Sequence, residues 1–214
     1  MSNREIILER LRQREQPFPA APQPGVYRPM VPLNDTAPAA LRARFIGEAQ
    51  KAACVIHEAD SPESAVDLIL SIVGERTTIS AWDPKQIPVP GLRTALAAAN
   101  VAVVGQDAEA RVGLTGVDAA LASTGSLALM SGPGRYRAAS LLPSVHIAVV
   151  AAGQIVPDLE SWMAAQRADG LEPLRRPSNV VIITGPSRTA DFAMQLVICM
   201  HGPRELHVVL LPAG

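Results

Sequence analysis

The chain has 214 residues, enough for one large domain or two small ones with a sizeable core, and 48% of its residues are apolar. Aromatic residues make up only 3%, so the core is predicted to be aliphatic. The formal net charge is −1 and basic residues are scattered along the chain, which argues against nucleic-acid binding.

The two cysteines, Cys54 and Cys199, are too few for an iron–sulfur cluster or a disulfide scaffold, and they suit a reducing compartment. The dispersed histidines give no metal-binding signature, and no dinucleotide fingerprint is present. The N-terminus is charged without an apolar signal region, and no apolar run has the length of a membrane span. The sequence therefore predicts a soluble cytoplasmic protein that holds no iron, flavin or nicotinamide.

The first 37 residues are predicted to lie outside the main domain. Ile6, Ile7 and Leu11 recur among charges at a spacing that predicts an amphipathic helix over residues 3–15. Prolines then recur from Pro17 onwards, so residues 16–35 are expected to form an extended arm that contributes little to the core. Residues 38–214 are predicted to form a single α/β domain.

Helices and strands alternate from residue 38. The pattern predicts helices over 38–50, 61–74 (with Ser61 as N-cap) and 92–99, and strands CVIHEA, TTISAW and VAVVG. Short apolar strands that alternate with helices indicate a mostly parallel sheet covered by helices. Ligands of such sheets bind in the loops after the strands.

The second half has a different pattern. Glycines and alternating leucines over residues 111–131 predict short strands joined by tight turns. Further strands are predicted over residues 145–152, 179–184 and 206–211, with a helix over 158–167.

Three features between these strands are candidates for an anion site. Thr124, Gly125 and Ser126 form a turn with two hydroxyls, either an anion nest or a plain hairpin turn. Arg135 and Arg137 precede a helix start in a stretch, residues 111–156, whose sole acid is Asp118, so they either bind an anionic ligand or are solvated. His146 lies in an apolar strand, where a histidine is either a ligand contact or a satisfied core residue.

The stretch TGPSRTAD follows the strand at 179–184 and carries hydrogen-bond donors together with an aspartate. Its candidate ligand-binding residues are Gly185, Pro186, Ser187, Arg188, Thr189 and Asp191. The alternative is that Ser187 or Thr189 caps a following helical turn. His201 and Gly202 add a titratable ring at a second turn, able to polarise a carbonyl or move a proton. Together these loops predict one pocket for a small carboxylate or phosphate.

In their order and spacing, TGVDAALASTGSLALMSG, RAASLLPSVHIAVV and VVIITGPSRTADFAMQLVICMHGP make the chain resemble the LUD-domain family, within it the lactate-utilization protein C group. The resemblance covers about residues 40–214. It implies a NagB/RpiA/CoA-transferase-like α/β fold and a role beside two iron–sulfur partner proteins in the oxidation of L-lactate to pyruvate.

The chain departs from the family pattern at two carboxylates. Ser123 stands where the family usually has Glu or Asp, and Ala193 where a Glu usually follows the aspartate. The nucleophile of acyl-transferring fold relatives is a glutamate. The leading hypothesis is thus a non-redox accessory subunit that binds a small anion or organises partners. The alternatives are a stand-alone isomerase or acyl-transfer enzyme acting on an anionic metabolite, and a ligand-sensing module.

Overall fold

A computed structural model describes residues 3–13, 31–105, 107, 109–190, 196–198 and 202–212. The helices are α1 Asn3–Gln13, α2 Pro38–Lys51, α3 Pro62–Val73, α4 Leu92–Ala98, α5 Ala138–Leu141, α6 Leu159–Ala168 and α7 Glu172–Arg175. The strands are β1 Val55–Glu58, β2 Thr78–Ala81, β3 Ala102–Val104, β4 Val112–Thr115, β5 Ala119–Leu121, β6 Ser126–Met130, β7 Val145–Val150, β8 Ile155–Val156, β9 Val180–Ile183, β10 Arg188–Ala190, β11 Leu196–Ile198 and β12 Glu205–Leu210. Within the described ranges, every helix is too short or too polar to cross a membrane.

The larger sheet has six strands in the order β1-β12-β7-β4-β2-β3, and every neighbouring pair is parallel. Its central strands are buried on both faces, which accounts for their continuous apolar sequences. Helices α2, α3, α4 and α5 contact β1, β12, β3 and β4 of this sheet. The predicted α/β fold with a mostly parallel, helix-covered sheet is confirmed.

A smaller sheet has the order β8-β5-β6-β9. Its β5-β6 and β6-β9 pairs are antiparallel, and β5 and β6 are short strands joined by a tight turn, as predicted for residues 111–131. The strand predicted over 179–184 is therefore present as β9, but it belongs to this sheet and not to the parallel one. Strands β10 and β11 form a separate antiparallel pair.

Helix α3 begins where the sequence placed its start. The Ser61 hydroxyl accepts a hydrogen bond from the Ser64 N–H, and the Ser64 hydroxyl accepts one from the Ser61 N–H. This capping box satisfies two backbone donors, and Pro62 favours the first helical position. The helix buries Ala65, Ile69 and Val73 against the sheet core.

The C-terminal end of α2 packs against two turns that are far apart in sequence. Gly125 lies so close to Ala49 that a side chain there would meet its backbone nitrogen at 2.2 Å. Gly185 lies against the carbonyl of Ala52, which a side chain would meet at 2.1 Å. One helix end thereby holds the β5-β6 turn and the turn after β9 side by side.

The predicted N-terminal helix is present over Asn3–Gln13, and residues 14 and 15 of that prediction lie outside the described residues. Residues 16–30 of the predicted proline arm lie outside the described residues. Residues 31–35 form neither helix nor strand, and Leu33 packs against the main core.

Candidate functional site

An inner cavity of about 490 Å³ lies where the small sheet, α5 and the start of β12 approach one another. Consecutive residues of β9, the turn that follows it and the segment before β12 form its walls. The lining residues are Arg137, Ser140, Leu141, His146, Asn179, Val181, Ile182, Ile183, Thr184, Gly185, Ser187, Gly202, Pro203 and Leu206.

The turn after β9 and the segment before β12 are joined directly. The Ser187 N–H donates to the Pro203 carbonyl at 2.8 Å. Gly202 has its α-carbon against the Ser187 side chain, close enough that an added methyl would lie 3.1 Å from the Ser187 Cβ. The Ser187 hydroxyl makes no hydrogen bond to any described residue, so it remains free to donate to a ligand.

A chain of three hydroxyls links the β5-β6 turn to this cavity. The Thr124 and Ser126 oxygens lie 2.7 Å apart, and the Ser126 and Thr184 oxygens 2.8 Å apart. When Thr124 donates to Ser126 and Ser126 to Thr184, the Thr184 proton is free to donate into the cavity. Thr184 lines the cavity, whereas Thr124 and Ser126 do not line it and affect a ligand only by orienting the Thr184 hydroxyl.

The backbone of the 124–126 turn is that of a hairpin, one of the two alternatives. Gly125 has φ +65° and its N–H donates to the Leu121 carbonyl at 2.9 Å. Because Gly125 also packs against α2, its backbone N–H is not available to a ligand. The contribution of this turn lies in its hydroxyls.

His146 is 1% exposed and lies on β7 beside β4. Its Nε2 is 2.9 Å from the Thr115 hydroxyl, while its Nδ1 has no hydrogen-bond partner among the described residues. Burial lowers the pKa of His146 to about 3, so the ring is neutral at physiological pH. A neutral imidazole at the cavity wall is available for hydrogen bonding and is a poor proton donor.

Arg135 has other contacts than those expected of a ligand-binding residue. Its Nη1 donates to the Asp118 carboxylate at 2.8 Å, and its guanidinium lies 4.3 Å from the ring centre of Trp82. The other Asp118 oxygen accepts the Met130 N–H at 2.6 Å. Asp118 thus neutralises Arg135, one of the arginines of residues 111–156 that lacked a matching acid in the sequence. Among the described residues, Arg137 lines the inner cavity and Arg135 does not.

The remaining predicted residues fall outside the cavity wall or outside the described structure. Arg188 is exposed, and its guanidinium donates to the Ala52 carbonyl at the end of α2 at 3.5 Å. Pro186 lies in the turn without lining the cavity. Residues 188–190 form β10, so Ser187 does not cap a helix there. Asp191 and His201 lie outside the described residues, as does the side chain of Thr189.

Cys54 lies beneath the turn after β9, buried beside the Gly185 N–H and near Arg188. Burial raises the pKa of the Cys54 thiol, against the opposing effects of that N–H and of Arg188. A protonated thiol is a weak nucleophile. In the described part of the chain, no three His, Cys, Asp or Glu side chains are placed to hold a metal ion.

Sequence reasoning missed several lining residues, among them Ser140, Asn179 and Leu206. No motif marks them, because they line the cavity only through the approach of the small sheet to α5. Thr184 was not among the candidate residues, although it is the first residue of TGPSRTAD. Arg137 was considered together with Arg135, and it is Arg137 that lines the inner cavity.

A profile of the LUD domain matches residues 42–211. Lactate utilization protein C of Halalkalibacterium halodurans is 32% identical over 161 residues, 71% of this chain and 70% of that protein. Lactate utilization protein C of Geobacillus sp. strain WCH70 is 37% identical over 103 residues, 48% of this chain and 43% of that protein, so this match spans less than half of the relative. The crystal structure of a DUF162 family protein from Deinococcus radiodurans superposes with a TM-score of 0.62 at 25% identity, covering 85% of this chain and all of the other.

Proposed function

The chain belongs to the LUD domain family, and from that premise we propose that it takes part in lactate utilization as a non-redox accessory subunit. It binds a small carboxylate or phosphate in the inner cavity. Iron–sulfur partner proteins carry the electrons from lactate. The names of the relatives, lactate utilization protein C, support the pathway, and the cavity supports the anion.

The observation that carries anion binding is the chemistry of the cavity wall. Arg137 supplies a positive charge, and Thr184 and Ser187 supply hydroxyls. No Asp or Glu is among the described lining residues, so a carboxylate or phosphate meets donors without a repelling charge. The neutral His146 adds one further hydrogen-bonding atom.

The residues of the same wall favour binding of an anion without chemical conversion over catalysis. A general acid or base works best when its pKa is near the operating pH, and that of His146 is about 3. The described lining residues include no carboxylate, lysine or cysteine to act as base or nucleophile. The inner cavity therefore favours the accessory subunit over the isomerase or acyl-transfer enzyme.

Replacing Ser187 with alanine is expected to weaken binding of a small anion by about 1–2 kcal/mol, roughly 5- to 30-fold in Kd, because a donor to a charged group is lost. Titration calorimetry with L-lactate, pyruvate and inorganic phosphate measures this. Thermal stability should stay nearly unchanged, since the hydroxyl bonds no described residue. Ser71→Ala, on the exposed face of α3, is the matched control. Equal affinities in all three proteins would contradict the anion site.

The freshly purified protein is expected to show no flavin or iron–sulfur absorption bands, since two cysteines leave no set of four thiolates for a cluster. The visible spectrum and an iron assay measure this. Bands that persist after gel filtration would overturn the non-redox role.

The pathway role is tested in the native host. Deleting the gene should abolish growth on L-lactate and leave growth on pyruvate intact, because the subunit acts before pyruvate. The tagged protein from lactate-grown cells should co-purify with cysteine-rich, iron-containing proteins. Unchanged growth on lactate would refute the pathway, while loss of growth without iron-containing partners would refute only the accessory role.

A further inference from the structure

Strand β9 has one edge without a partner strand in the described structure. It pairs with β6 alone, from Leu127 opposite Ile183 to Met130 opposite Val180, and ends the order of the small sheet. In an antiparallel pair, alternate residues direct their N–H and C=O groups away from the partner strand. These groups along the outer edge of β9 are a template for one more strand.

The open edge of β9 borders the inner cavity. Val181, Ile182 and Ile183 are consecutive and all three line it. Side chains of a strand alternate between its two faces, so three consecutive lining residues mean that the backbone edge itself faces the cavity.

The same edge continues into a second, outer cavity of about 760 Å³. Ser178 and Asn179, just before β9, line it, and the two cavities share Arg137, Leu141 and Asn179. We call the combined channel from Ser178 to Thr184 the β9 groove. At about 3.3 Å per residue it is about 20 Å long, the length of an ordinary strand.

The other residues that line the groove combine exposed apolar side chains with positive charge. Tyr136, Leu141 and Leu142 are 37%, 42% and 51% exposed. Arg137 makes no ion pair with a described residue, and Arg176 forms only a long, solvent-exposed ion pair with Glu172, at 3.8 Å. Neither cavity has an Asp or Glu among its described lining residues. This wall complements an acidic partner with apolar side chains.

We propose that the β9 groove binds an extended acidic segment of another protein, which adds to the small sheet as a strand beside β9. A strand supplies both donors and acceptors to the open backbone edge, whereas a small anion supplies acceptors alone. Glutamate or aspartate side chains of the segment pair with Arg137 and Arg176, and its apolar side chains cover Leu141 and Leu142. The proposal stands on the groove and does not depend on the small anion of the inner cavity.

The test uses defined peptides and the full chain. A labelled acetyl-EVEVEVE-amide peptide is expected to bind in fluorescence anisotropy, with an affinity that falls as salt rises. The basic peptide KVKVKVK should bind at least about tenfold more weakly, because it meets the arginines. An EVEVEVE peptide N-methylated at alternate residues keeps the charge but loses backbone donors, and it too should bind about tenfold more weakly.

Arg137→Glu and Arg176→Glu should each weaken binding of the acidic peptide by at least about fivefold in Kd, since each reverses a charge of the groove. Arg10→Glu, an exposed arginine of α1 that lines neither cavity, is the matched control and should change nothing. Circular dichroism checks that each variant folds. Arg176→Glu should leave the affinity for inorganic phosphate within about twofold, because Arg176 lines the outer cavity and not the inner one, and this separates the peptide site from anion binding.

Three results would overturn the proposal. Equal binding of the N-methylated peptide would mean attraction of a polyanion without strand addition. Equal binding to the Arg137 and Arg176 variants would place the peptide elsewhere on the protein. Absence of acidic-peptide binding at millimolar concentration would mean that the groove is not a docking site for such a segment.

Discussion

Replacing Gly185 with alanine is expected to lower the free energy of unfolding by about 2–5 kcal/mol, through backbone strain and overpacking together. Gly185 has φ +78°, which a residue with a side chain rarely adopts. An added methyl group would also lie 2.1 Å from the Ala52 carbonyl oxygen at the end of α2, so backbone would have to move. Urea denaturation measures the change in stability.

The same substitution should abolish anion binding in the inner cavity. Moving the turn away from α2 displaces the two hydroxyl donors beside it, Thr184 directly before Gly185 and Ser187 two residues after it. Calorimetry with inorganic phosphate and L-lactate on the folded fraction measures the loss. A stable Gly185→Ala protein with unchanged anion affinity would show that the contact with α2 does not position the site.

Gly170→Ala separates strain from overpacking. Gly170 has φ +70°, close to that of Gly185, but nothing lies within 4 Å of where its side chain would be. Its substitution should cost only the backbone strain, about 1–2 kcal/mol, and leave anion binding intact. Equal costs at the two glycines would mean that the Ala52 contact relaxes without penalty.

Almost all strands and helices of the larger sheet could be predicted from the sequence, because each has a local sequence signal. Ser61 and Pro62 mark the start of α3, and the apolar strands between helices mark a parallel sheet. The turn at Gly125 is marked by its glycine between two hydroxyl residues. Such signals depend only on residues that are close together in the sequence, so they can be recognised without the structure.

The contacts that shape the site depend on residues far apart in sequence. The pairing of β9 with β6 joins Ile183 to Leu127, and nothing in NVVIIT distinguishes a strand of the antiparallel sheet from one of the parallel sheet. The ion pair of Arg135 with Asp118 requires the chain between β5 and α5 to fold back on itself. A count of charges along the sequence therefore overestimated the free positive charge, because it could not show that Asp118 pairs with Arg135.

Lowering the pH from 7 to 5 is expected to destabilise the protein by about 2 kcal/mol through His146 alone. Its pKa is about 3 in the folded protein and about 6.5 when unfolded, since burial disfavours the charged ring. Between these values the unfolded chain binds a proton that the folded chain does not, so stability is present above pH 6.5 and is lost as the pH falls towards 3. Urea midpoints and slopes at pH 7, 6 and 5 measure this loss.

His146→Gln tests the assignment, because glutamine does not titrate and its amide can still pair with the Thr115 hydroxyl. The variant is expected to be less stable at pH 7, yet to lose about 2 kcal/mol less than the wild type between pH 7 and 5. His57→Gln is the control: its pKa is also lowered, first by burial and then by His207, whose ring stacks on it at 5.3 Å. His57 is half-buried, so water screens its charge and its removal should change the pH dependence less. If wild type and His146→Gln lost equal stability, the folded protein would have to protonate His146, and the inner cavity would admit enough water to solvate an imidazolium.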